Sequence, residues 1–191
     1  MNEKSRGYHK IKGASSTFNF DFRGRTVLDI GSSTGGFSEF ALESGADKVI
    51  AIEKGSNQMK APLRYDPRIE LHEKTDIFDV KVGADELIQE KPDVIVADVS
   101  FVSLKNVLKY SKNNLASSNT DYLVMMKPQF EARPYQLRKG VVKNETVRRE
   151  IVKEFELWLR QNGFATIKKR DNELTGKNGN KERFYWLRRS K

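Results

Sequence analysis

The chain has 191 residues, 37% of them hydrophobic, no cysteine and a formal net charge of +9. That length can bury one self-sufficient core, and the lack of thiols excludes disulfides and thiolate metal or nucleophile chemistry, which suits a reducing cytoplasm. No apolar run approaches the roughly eighteen residues of a membrane helix, so the expectation is a soluble, cytoplasmic protein with no membrane contact.

Charge is unevenly spread. Residues 1–25 carry six Lys/Arg against two acids, residues 160–191 carry ten against three, and the middle sums to −2. Basic chain ends suit a polyanion, because cations that neutralise phosphates gain affinity through counterion release. A solvated surface that keeps the protein soluble explains the charge alone equally well.

In chain order, residues 1–24 read as a basic segment largely outside the core, and residues 25–191 as the folded domain. Strand and helix signals alternate from residue 25. A β-branched run at 26–30 ends in a glycine-rich turn. A helix at 35–44 follows, with Phe37, Phe40 and Ala41 on one face and Gly45 placed as its C-terminal glycine. A strand at 48–52 closes a βαβ unit. Further apolar runs at 69–71, 93–97 and 122–126 read as buried strands. A helix over about 145–162 carries Val147, Ile151, Phe155, Trp158 and Leu159 at helical spacing. Strands at 164–168 and 183–187 end the chain. Their connection, 172–180, is too short for a crossover helix, so they should pair as an antiparallel hairpin. The fold class is therefore α/β: a mostly parallel sheet finished by a reversed strand, with Trp158 and Trp186 in the core.

The loop Asp29-Ile30-Gly31-Ser32-Ser33-Thr34-Gly35-Gly36-Phe37 joins a strand to a helix, where backbone N–H groups and a helix N-terminus meet a ligand. Its G-x-x-x-G-G spacing is neither a dinucleotide fingerprint nor a P-loop. Glu53 ends the second strand about twenty residues on, where an acid accepts from ribose hydroxyls. Asp76 and Ile77, after the third strand, are candidates for an adenine edge and face. The pattern favours an adenosine-type cofactor over a merely tight turn, and no acid or histidine cluster has metal spacing. Arg133, Tyr135, Arg138, Lys139 and Lys143 form a cationic, aromatic loop suited to phosphates and unpaired bases.

Several motifs together resemble the TlyA group of the FtsJ-like RNA methyltransferases. They are Ser5-Arg6-Gly7-Tyr8-His9-Lys10, the 29–37 loop, Asp98-Val99-Ser100-Phe101-Val102-Ser103-Leu104, Lys127-Pro128-Gln129-Phe130-Glu131, Lys139-Gly140-Val141-Val142 and Gly179-Asn180-Lys181-Glu182-Arg183-Phe184. The resemblance implies a Rossmann-like fold with a seven-stranded sheet and helices on both faces. It also implies S-adenosyl-L-methionine as cofactor, and transfer to a ribose 2′-hydroxyl of RNA, ribosomal RNA or a ribosomal particle. The family's Lys-Asp-Lys-Glu tetrad falls on Lys10, Asp98, Lys127 and Glu182, with Asp98 also facing the cofactor. Three departures stand out. An S4-type RNA-binding domain is expected to be absent, which leaves room for a separate RNA-targeting partner. Gly-Tyr stands at 7–8 where Gly-Gly is usual, and Glu53 stands where Asp is common.

The residue types suit the chemistry on their own terms. A 2′-hydroxyl is a weak acid, so attack needs its oxygen aligned and its proton accepted. Lys127 is the expected base, with Lys10 as a neighbouring cation and Asp98 and Glu182 fixing its position. Arg6, Lys12, Arg133, Arg138, Lys139 and Lys181 are the expected RNA contacts, with Lys4, Lys177 and Arg183 also flanking the tetrad. A plain Asp98–Lys127 surface ion pair would be the ordinary alternative. At the level of the whole protein, the alternatives are a non-catalytic RNA-binding module and a nucleotide-dependent reductase.

Overall fold

The computed structural model describes residues 3–176 and 178–190. The elements in order are α1 (Arg6–Phe18), β1 (Thr26–Ile30), α2 (Gly36–Glu43), β2 (Lys48–Glu53), β3 (Ile69–Glu73), β4 (Val94–Ala97), α3 (Leu104–Asn114), β5 (Asp121–Met126), α4 (Pro128–Glu131), α5 (Glu145–Gln161), β6 (Phe164–Asp171) and β7 (Arg183–Arg189). One sheet runs β3-β2-β1-β4-β5-β7-β6. The first five strands in that order are parallel, and β7 joins β5 and β6 antiparallel.

The central strands are apolar on both faces because both are covered. Leu28, Ile30, Ile50, Ile52, Ile95 and Val124 point into the core beneath α3 and α5. Val27, Val49, Ala51, Val96, Leu123 and Met125 alternate with them and pack under α1 and α2. A period of two thus serves two cores at once.

The structure corrects three expectations. The first 24 residues are not outside the core. Helix α1 starts at Ser5, whose hydroxyl accepts from the Tyr8 N–H, and stops at Asn19 in the left-handed region. It buries Tyr8, Ile11, Ala14 and Phe18, a three- and four-residue spacing that lysines between them obscured. The strand at 69–73 is an edge strand, and all five of its residues are only half-buried. Trp158 and Trp186 are partly buried at the margins of the two cores rather than within them.

Candidate active site

Strand order reverses between β1 and β4, and in such sheets the crevice beyond the strand ends at the switch point receives ligands. Here Gly31, at φ +79°, turns the chain away from β1. The Gly31 and Ser32 N–H groups donate to the Ile52 carbonyl at 2.9 and 3.1 Å. The Asp98 N–H reaches across to the Ile30 carbonyl at 3.2 Å. The resulting cleft is lined by Asp29, Gly31, Ser33, Thr34, Gly36, Phe37 and Asp98, with Gly7 of α1 opposite.

Two glycines serve a purpose other than ligand approach. A Cβ on Gly35 would meet Leu63 and Met59, and one on Gly36 would lie 2.6 Å from the Tyr8 backbone nitrogen. Both therefore admit protein, and Gly36 admits the first turn of α1. Gly36→Ala is expected to cost about 1–3 kcal/mol by forcing α1 off the loop, read as a lowered denaturation midpoint. An unchanged midpoint would show that α1 can shift freely.

Glu53 is tied into its own loop. Its Oε2 accepts from the Ser33 N–H at 2.8 Å, and its Oε1 from the Gly55 N–H at 2.6 Å and Gln58 Nε2 at 3.2 Å. Asp76 accepts from Phe78 N–H and pairs with Lys54 at 2.8 Å, which together hold its carboxyl below the usual range. The Ile77 side chain is packed in the core. Neither Asp76 nor Ile77 lines the cleft, because the turn after β3 points them into other contacts.

Asp29 is wholly buried on the cleft wall. Its Oδ2 accepts from Ser38 Oγ at 2.6 Å, and its Oδ1 has no partner among the described residues. Burial, only partly opposed by the Ser38 hydrogen bond, pushes its carboxyl up to about 7. Ser32 Oγ is likewise buried without a partner among the described residues. An acidic cleft in a basic chain, with open acceptors on its wall, fits a ligand that carries positive charge and N–H donors.

The same shift has a consequence for stability. A carboxyl whose folded pKa lies above its unfolded value contributes fully below about pH 4, and that contribution is lost as pH rises through about 7. Asp29→Asn should therefore remove a loss on the order of 4 kcal/mol between about pH 4 and 8. Denaturation curves of wild type and variant across that range should converge at low pH and separate at high pH. Parallel curves would refute it.

Two ion pairs join the four residues that the motifs singled out, one of them through Asp98 on the cleft wall. Lys127 Nζ lies 2.6 Å from Asp98 Oδ1, a close contact rather than an aligned hydrogen bond, and donates to Ser100 Oγ at 2.9 Å. Lys10 Nζ donates to Glu182 Oε2 at 2.5 Å, with both side chains under 10% exposed. The antiparallel register that pairs Met126 with Arg183 carries Lys127 and Glu182 to the same sheet end on neighbouring strands. The four residues singled out by the motifs thus come from α1 and from the ends of β4, β5 and β7. The partners are Lys127 with Asp98 and Lys10 with Glu182, so Lys10 is neutralised by its own acid.

The basic residues expected to contact RNA are mostly exposed. Arg133, Arg138, Lys139 and Tyr135 are exposed, and Arg133 donates to the Tyr135 hydroxyl at 3.1 Å. Lys12 is exposed, Arg6 donates to the Thr175 carbonyl, and Lys181 pairs with Glu145 at 3.2 Å. Lys177 lies outside the described residues.

Two features were not anticipated as functional. Phe101 is 93% exposed with φ +64°, its ring 5.4 Å from that of Phe130. Large apolar side chains are seldom left so bare, and that exposure is a property of the fold. Asn180 accepts from the Val142 N–H at 3.0 Å and donates to the Gly140 carbonyl at 3.1 Å. It thereby ties the basic loop to the segment bearing Glu182.

Comparison with known proteins identifies the family. The FtsJ-like methyltransferase family model matches residues 4–189. The 16S/23S rRNA (cytidine-2'-O)-methyltransferase TlyA of Mycobacterium tuberculosis is 37% identical over 96% of this chain and 68% of its own. The 23S rRNA (cytidine-2'-O)-methyltransferase TlyA of Campylobacter jejuni is 36% identical over 95% and 69%. A solved structure of a hemolysin candidate from Lactococcus lactis superposes with a TM-score of 0.89 at 32% identity, over 96% of this chain and 87% of that one. FtsJ-like methyltransferases use S-adenosylmethionine, a cation whose charge suits the Asp29 and Asp98 walls. With the matched span, these identities and the shared fold, the chain belongs to the FtsJ-like methyltransferase family.

Proposed function

We propose that this protein methylates a ribose 2′-hydroxyl of RNA, and that its substrate is ribosomal RNA, free or in a ribosomal particle. The observation that carries the reading is the Lys127–Asp98 pair, because Asp98 belongs both to that pair and to the wall of the cofactor cleft. A reacting oxygen held by Lys127 is then adjacent to whatever the cleft presents. Two relatives named as rRNA (cytidine-2'-O)-methyltransferases support the choice of RNA and of the 2′-oxygen.

S-adenosylmethionine supplies a methyl group already activated on a sulfonium. The chain supplies the rest. Asp29, Ser33, Thr34 and the Gly31 backbone would hold the cofactor. Lys127 orients the 2′-hydroxyl, and its neutral amine, formed once the ammonium has released a proton to solvent, takes the hydroxyl proton as the oxygen attacks. Asp98 and Ser100 hold the Lys127 ammonium before and after that step, and the buried Lys10–Glu182 pair ties α1 to the start of β7. The exposed Phe101 ring offers a face to an unstacked base, and Arg133, Arg138 and Lys139 offer cations to the backbone.

The test is transfer of labelled methyl from S-adenosylmethionine to free ribosomal RNA and to assembled subunits, followed by mapping of the modified nucleotide. A 2′-O-methylated nucleotide supports the reading. Binding of cofactor with no labelling of any RNA or particle would overturn it in favour of a non-catalytic RNA-binding role.

A further inference from the structure

The Glu131 side chain is only 2% exposed, yet among the described residues no cation hydrogen-bonds to it, and the Lys105 ammonium stands off at 3.9 Å. Its Oε2 instead accepts from Ser103 Oγ at 2.7 Å and its Oε1 from the Leu104 N–H at 2.6 Å. Burial holds its carboxyl above the usual range, against the pull of those two donors. A buried carboxylate is a costly way to end a helix, and α3 already has an N-cap, since Ser103 Oγ accepts from the Lys105 N–H at 3.2 Å. Glu131 is therefore more than a cap.

Its position suggests what else it does. Glu131 closes α4, the single turn that begins directly after Lys127. Ser103 and Leu104 end the 98–104 loop, which begins with Asp98 at the tip of β4. That loop carries both polar partners of Lys127, Asp98 and Ser100, along with Phe101 at positive φ. The ends of β4 and β5 thus diverge into two segments that meet again at Glu131. Phe101 against Phe130 is a second, apolar contact between them.

We infer that Glu131 is a positioning residue, whose carboxylate clamps the 98–104 loop to the segment after Lys127 and so sets how Asp98 and Ser100 hold the Lys127 ammonium. A carboxylate suits this task because both oxygens accept and both partners donate. Glutamine of the same shape would turn an N–H toward one of those donors. The inference rests on the proposed role of Lys127.

The experiment compares wild type with E131Q and E131A. Single-turnover methyl transfer at saturating RNA and cofactor should fall by about 10- to 100-fold in E131Q, the scale of an ångström-sized misplacement. Cofactor Kd should stay within about twofold, since Glu131 does not line the cleft. A purely structural cap would lower the denaturation midpoint and leave the rate per folded molecule unchanged, which overturns the inference. If E131A fails to fold, the near-isosteric E131Q still decides.

A second readout needs no turnover. Lys127 should be acetylated by acetic anhydride several-fold faster in E131Q, read by mass spectrometry, while the exposed Lys60 is labelled as in wild type. Unchanged Lys127 labelling overturns the inference whether or not an RNA substrate has been found. Loss of the clamp with a wild-type protein that methylates no RNA would instead fault the proposed reaction and leave the clamp standing.

Discussion

Lys127→Ala is expected to lower the single-turnover rate of methyl transfer by about 10²- to 10⁴-fold, the contribution usual for a positioned proton acceptor. The side chain is only 12% exposed and has two polar partners, Asp98 and Ser100. Truncation removes the amine held against Asp98 on the cleft wall and leaves that carboxylate without its cation. The cofactor affinity should change little, because Lys127 does not line the cleft. A variant that binds S-adenosylmethionine and RNA as wild type does, but transfers no methyl, would match an interaction made only in the transition state. Full activity in Lys127→Ala would remove this lysine from the mechanism. Equal loss of cofactor binding and rate would point to collapse of the loop rather than to lost proton transfer.

The second large effect concerns Lys10 and Glu182. Both are nearly excluded from water and bonded at 2.5 Å, so removing one partner strands a buried charge. Lys10→Met alone should cost about 3–5 kcal/mol, and Glu182→Gln a comparable amount. The double variant should recover much of that, because replacing a buried pair by uncharged groups of similar volume is often neutral. Activity should not recover with stability if the pair also acts in the proposed reaction. The cycle is measured by chemical denaturation alongside methyl transfer, with the coupling taken from the four proteins. Additive losses in stability would mean that the two side chains do not interact in solution. Wild-type activity in the double variant would assign the pair to folding alone.

What the sequence determined by itself follows from local rules. Alternating apolar runs with two periods, a glycine turn after the first strand and the short 172–180 connection were enough for the α/β class, the βαβ start and the reversed last strand. Motifs in order were enough for the family, and they named the four residues proposed as the tetrad. Helix α1 was legible too, since Tyr8, Ile11, Ala14 and Phe18 keep helical spacing, but its lysines read as a solvated arm.

The tertiary structure decided which charges pair. Lys10 and Glu182 are 172 residues apart, and no local pattern tells whether Lys10 faces Lys127 or an acid. The packing of α1 against the β6–β7 hairpin settles it, because a buried ammonium takes the nearest acceptor it can reach without water. It also decided that Gly36 makes room for a helix, that Ile77 belongs to the core, and that Phe101 stands bare. Each depends on what another part of the chain brings to within a few ångströms, and spacing along the sequence carries no such distance.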